Sequence, residues 1–149
     1  MRSIQEIDDE SVLLEIADNR KKDIYIRLSA AKKLANEVII QRIIANIDID
    51  KLIKDSVLEL LGLHVAVTVL GEKFNENTSQ FKSIQKIGER LDDVGGKQLM
   101  FSVYEQFREK LKDNSGIFYG HNLEICWDGI GDYKHYAIQQ RNKQNYEFN

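Results

Sequence analysis

Asp23 to Leu34 reads DIYIRLSAAKKL, and the pattern it carries returns further along the chain. Its marked positions are Asp23, Ile26, Arg27, Ala30, Ala31 and Leu34. A step of 27 residues leads to Asp50, Ile53, Lys54, Val57, Leu58 and Leu61, and all six keep their chemical type. The flanking stretches follow the same step, with Glu10, Val12, Leu13 and Ile16 matched by Glu37, Ile39, Ile40 and Ile43. A further step turns Ile39, Ile40 and Ile43 into Ala66, Val67 and Leu70. A period in this range is the mark of stacked helical pairs, because one pair cannot bury its apolar face alone and neighbours must close the core.

Working outward, Asp8 or Asp9 is expected to cap a first helix whose buried stripe is Val12, Leu13, Ile16 and Ala17. Asp23 is expected to cap the second, with Ile26, Ala30 and Leu34 turned inward. Asn36 caps the third, with Ile39, Ile40, Ile43 and Ile44 buried. The fourth starts at Asp50 and stops at Gly62. Leu63 to Phe74 alternates like a strand yet also lines one helical face, and is assigned to a fifth helix. Asn75 to Gln80 is a polar loop.

Phe81, Ile84, Ile87 and Leu91 form the next stripe, within which Gly88 implies a close helix approach, since a mid-helix glycine costs about 1 kcal/mol against alanine. Gly95 and Gly96 end that helix. Leu99, Val103 and Phe107 mark another, and Asp113 to Gly120 a loop. Leu123, Cys126, Trp127 and Ile130 suggest a short helix stopping in WDGIGDY, with Trp127 buried. The polar tail from Lys134 is expected to fray from about Arg141.

The 149 residues are expected to form a single domain, 1–149, of all-α class. A hydrophobic content of 42% against 30% charged residues excludes wholesale disorder, and the absence of proline suits uninterrupted helices. The net charge of -3 weighs against a dedicated nucleic-acid or anionic-membrane binder. One cysteine, no signal-peptide pattern and no long apolar run lead to the expectation of a soluble, cytoplasmic chain without a membrane segment.

The paired helices with D, I, R, AA and L at fixed places resemble HEAT repeats of the armadillo-like group, over residues 10 to 61 most clearly and more weakly over 63 to 92. IGERLDDVGG and LEICWDGIGDY resemble a portion of small bacterial HEAT-repeat proteins of unassigned function. The resemblance implies a right-handed α-α superhelix, an α-solenoid, that recognises protein along an extended helical surface. Some relatives bind nucleic acid or act on it.

Chemistry-bearing residues are sparse. His64, His121, His135 and Cys126 have no ligand spacing, so no metal or cofactor is expected. Cys126 beside Trp127 reads as a small buried hydrophobe. GIG at 129 to 131 lacks the later glycine and preceding strand of a dinucleotide fingerprint. Asp128 and Asp132 miss the calcium-loop spacing and read as capping or turn carboxylates. Six bases, Arg20, Lys21, Lys22, Arg27, Lys32 and Lys33, crowd around Asp23. Either they contact an anionic ligand, or Arg27 and Lys54 hold aspartates of the adjoining repeat while the rest are solvated.

The reading that follows is a non-enzymatic protein-interaction or regulatory module. Its alternatives are a nucleic-acid-binding or base-processing HEAT-like protein and a bacterial toxin-neutralising immunity protein. Helical angles place Tyr25, Leu28 and Leu52 on an apolar strip rimmed by Lys32, Asp55 and Glu59, as a partner site. The bland alternative packs Leu28 and Leu52 on their own outer helices. Partner, pathway and oligomeric state have no signature in the sequence.

Overall fold

This computed structural model describes residues 4–69, 79–115 and 121–147, and every regular element in them is helical. A 3-10 turn, Ile4–Glu6, precedes α1 (Glu10–Asp18), α2 (Ile24–Lys33), α3 (Glu37–Ala45) and α4 (Ile49–Val69). Then come α5 (Ser79–Ser115), α6 (His121–Trp127) and α7 (Tyr133–Glu147). No strand occurs among the described residues, so the class is all-α as expected. The chain divides into two compact units, Met1–Ile49 and Asp50–Asn149.

In the first unit the caps are those the sequence announces. Asp9 accepts from the backbone N–H of Ser11 at 2.9 Å and of Val12 at 3.4 Å, and from the Ser11 hydroxyl at 2.6 Å. These bonds, that from the Ser11 side chain foremost, hold its carboxyl below the ordinary range. Asp23 takes the N–H groups of Tyr25 and Ile26, and Asn36 that of Ile39. Each removes an orphan donor from a helix start.

The turn from α2 to α3 has no glycine. Asn36 N–H bonds Ala31 C=O and Ala35 N–H bonds Lys32 C=O, the paired pattern that ends a helix with one left-handed residue. That residue is Ala35, at φ 54°. Its Cβ makes the conformation about 1–2 kcal/mol less favourable than for glycine.

α2 packs on α1, on α3 and on the 3-10 turn, which makes it the central helix of the unit. It therefore buries two sides rather than one stripe. Leu28, Ala30 and Ala31 are fully buried, whereas Ile26, expected inside, is 43% exposed. Val12 on α1 is likewise exposed, and Leu13 and Ala17 carry that helix's contact. α3 largely meets its expectation, with Ile39, Ile40 and Ile43 buried, but Ile44 is only half-buried. Arg27 does not reach an aspartate. Its Nε donates to Ala17 C=O at 3.0 Å, where a cation complements the carbonyl end of α1.

The 27-residue step holds from α1 to α3, which start at Glu10 and Glu37, but α4 starts at Ile49, only 25 residues after Ile24. Asp50 thus falls inside the first turn of α4 instead of capping it. Of the marked pairs, Ala30 and Val57 are both buried, while Ala31 is buried and its match Leu58 is 59% exposed.

In the second unit Gly62 does not stop α4, which runs through it to Val69. A Cβ at Gly62 would meet nothing within 4 Å, so this glycine serves no packing and no turn. Residues 63–69 of the expected fifth helix belong to α4; the remainder of that helix, and 75–78 of the polar loop, lie outside the described residues. α5 is two helical arms meeting at Gly96, whose φ 70°, ψ -164° suits glycine alone. The expected break is confirmed there. The second arm continues through Asp113 to Ser115, further than the expected loop boundary.

Both arms of α5 bury apolar stripes, Ile84, Ile87, Leu91 and Val94 on one and Leu99, Met100, Val103, Tyr104 and Phe107 on the other. α6 and α7 pack on α5 and on each other. Gly129 and Gly131 have positive φ in the turn between them, as WDGIGDY leads one to expect. α7 extends past Arg141 to Glu147. Arg141 is anchored in that helix by an ion pair to Glu124 on α6 at 2.7 Å.

Trp127 locks this arrangement. It is fully buried, and its indole N–H donates to Ile84 C=O at 2.9 Å. The ring lies directly on Gly88, where a Cβ would stand 2.6 Å from Cδ1 and closer still to Nε1. Gly88 is thus the seat that lets an indole approach a helix backbone. Tyr133 completes the nest edge-on, with ring centroids 5.3 Å apart and planes at 85°.

Candidate functional site

The sequence-based strip does not survive as an exposed surface. Leu28 is 1% and Leu52 4% exposed, so both are core residues. α2 packs on two helices, so Leu28, opposite the assigned stripe, is inside as well; on α4, Leu52, Ser56, Val57 and Leu60 are buried. Tyr25 is half-buried and engaged with other groups. Lys32 is exposed on α2. Asp55 pairs with Lys51 at 2.8 Å, and Glu59 approaches Arg90 of α5 at 4.0 Å. Tyr25, Leu28 and Lys32 belong to the first unit, and Leu52, Asp55 and Glu59 to the second.

The basic stretch is dispersed by function. Arg27 holds the end of α1, and Lys33 Nζ donates to Ile4 C=O at 3.2 Å and Gln5 C=O at 2.8 Å, pinning the 3-10 turn. Of the others, Arg20 and Lys21 are exposed before α2 and Lys32 is exposed at its end. Ten helical residues separate those ends by roughly 15 Å.

What the first unit does present is an open cleft of about 420 Å³, lined by Glu10, Ser11 and Leu14 of α1, by Leu34, and by Asn36. Its apolar floor is Leu14, 43% exposed, and the half-buried Leu34. The strained Ala35 lies between the two lining residues of the α2–α3 turn. Val12, Ile26 and Val38, the last 70% exposed, add apolar surface on the same three helices. The sequence reading missed Leu14 because it falls outside the 27-residue match, and its position beside Leu13 gave no cue to exposure.

The second unit holds a polar cluster in its core. Tyr104 of α5 and Tyr133 of α7 are buried near Glu124 of α6, which carries the Arg141 ion pair. Burial, then the neighbouring Glu124 carboxylate, pushes the Tyr104 phenol well above its ordinary range; burial, then Tyr104 and Glu124, does the same to Tyr133. Burial also pushes the Cys126 thiol up to about 12. Groups shifted this way stay protonated and make poor bases and nucleophiles. The cluster joins side chains of α5, α6 and α7.

A pH consequence follows. A phenol whose folded pKa is raised binds its proton more tightly in the folded state, so its contribution is intact below about pH 10, the unfolded value, and is lost as pH rises above it. Of the six tyrosines, two should therefore resist ionisation in the native protein and yield phenolate absorbance only on alkaline unfolding, with the melting temperature falling above about pH 10. Titration of every tyrosine near its ordinary value, with the fold retained, would contradict this.

Among the described residues no group of three His, Cys, Asp or Glu side chains is placed to hold a metal ion, and His135 is exposed. Asp132 pairs with Lys97 and Asp128 with Lys134, each at 3.5 Å, in keeping with turn carboxylates. No helix among the described residues is long and apolar enough to cross a membrane. Comparison of the chain with protein-family models, with curated proteins and with solved structures gives no match.

Proposed function

We propose that this chain is a non-enzymatic, HEAT-like helical module that works by binding another protein through its first unit. The observation that carries the reading is the Leu14–Leu34 cleft with Val12, Ile26 and Val38 exposed on the helices around it. The two leucines of the cleft lie among the polar Glu10, Ser11 and Asn36, and an apolar centre with a polar rim is what a protein partner covers. The 27-residue step between the capped helices α1 and α3, with Leu13 and Ile40 both buried, supports the HEAT-like kinship and the right-handed superhelix. The inert protonation states of Tyr104, Tyr133 and Cys126 support a binding role over a catalytic one.

The test is affinity capture from the native host with a photo-cross-linker at Ser11, which lines the cleft, run in parallel on the wild type and on Leu14→Ser with Val38→Ser. Both replaced side chains are exposed, so the helical circular dichroism and melting temperature should stay nearly unchanged. A partner cross-linked to the wild type should be lost from the variant. A partner retained equally by both would remove the cleft from the function.

A further inference from the structure

The cleft also carries information about the charge of what it binds, and the inference below rests on the protein-interaction reading just given. Residues 4–19 hold Glu6, Asp8, Asp9, Glu10, Glu15 and Asp18, all exposed, and no lysine or arginine. Asp9 is occupied as the cap of α1, and Asp8 reaches Lys33 at 3.6 Å. That leaves Glu10, Glu15 and Asp18 along the helix that bears Leu14. Glu10, Leu14 and Asp18 are spaced i, i+4, i+8, so the apolar contact and two carboxylates follow one side of α1.

We propose that the cleft takes a basic segment of a partner protein, seating one or two large apolar side chains on Leu14 and Leu34 while flanking Lys or Arg residues meet Glu10 and Asp18. The size fits: about 420 Å³ is near the lower end for binding pockets and suits anchoring side chains rather than a folded body. Charge complementarity supplies orientation and encounter rate, and the leucines supply the desolvated centre. An acidic segment would face the like charges of Glu10 and Asp18. A phosphorylated segment is disfavoured for the same reason, since no base lines the cleft.

Three labelled peptides read by fluorescence anisotropy on the full chain decide the matter: an amphipathic leucine–lysine helix, its leucine–glutamate counterpart, and a serine–lysine peptide without leucines. The leucine–lysine peptide should bind, and the leucine–glutamate peptide should not. Leu14→Ser should weaken the binding about tenfold. Glu10→Gln with Asp18→Asn should weaken it several-fold and flatten its salt dependence. Equal binding of the serine–lysine peptide would reduce the site to diffuse charge and overturn the proposal. So would indifference to Leu14→Ser, or equal affinity for the leucine–glutamate peptide. If the cross-linking experiment shows a Leu14-dependent partner while the peptides show no preference for lysine, the basic occupant is wrong and the module reading stands. If neither experiment depends on Leu14, both fall.

Discussion

Gly88→Ala is expected to destabilise the protein by at least about 2 kcal/mol and to shift its tryptophan emission to the red. The two effects of the added methyl oppose each other. Alanine gains about 1 kcal/mol over glycine in helix propensity. Against this, the Cβ would stand within 3 Å of three indole atoms of Trp127, so the ring must leave its seat. Displacement costs the bond to Ile84 C=O and most of the packing of a fully buried indole, and loss of a buried tryptophan amounts to about 3–5 kcal/mol. Denaturant melts with intrinsic fluorescence measure both. A raised midpoint with unchanged emission would show that propensity wins and that the indole is not held as described.

Ala30→Leu is the second substitution with a large expected effect, about 1–3 kcal/mol of destabilisation from overpacking. Ala30 and Ala31 are fully buried on the helix that packs on α1 and α3 at once, and Ala17 of α1 is equally buried, so small side chains set the spacing of these helices. Lys32→Leu is the proper control, because its side chain is exposed. Lys33→Leu is not, since Lys33 donates to two carbonyls of the 3-10 turn. Equal losses for Ala30→Leu and Lys32→Leu would remove the packing assigned to α2.

Both substitutions fall at positions that the sequence places in an apolar stripe, Gly88 as a close approach and Ala30 as turned inward, and the reason is physical. A glycine inside an apolar stripe, or a pair of alanines in one, marks a place where something large comes close. Caps were equally legible, because Asp9, Asp23 and Asn36 act on N–H groups two or three residues away and need no tertiary context. The trouble began where orientation depends on how many neighbours a helix has. One buried side predicts Ile26 inward, but α2 buries two. Gly62 signals a stop in sequence, yet the helix tolerates it in open solvent at a cost of about 1 kcal/mol. The candidate site was the least legible part. Leu14 and Leu34 look like any core leucines, and only the way the α2–α3 turn approaches α1 leaves them open.

The position of the single tryptophan has one more consequence, for how unfolding can be followed. Trp127 lies in the second compact unit, and the first unit contains no tryptophan at all. Indole emission therefore follows only one of the two units, whereas far-ultraviolet circular dichroism follows every helix. Two melting curves recorded on one sample thus measure cooperativity directly. If they superimpose, the chain unfolds as one thermodynamic body; if they separate, the ellipticity lost without any change in emission belongs to the unit that carries the cleft, and gives that unit a stability of its own.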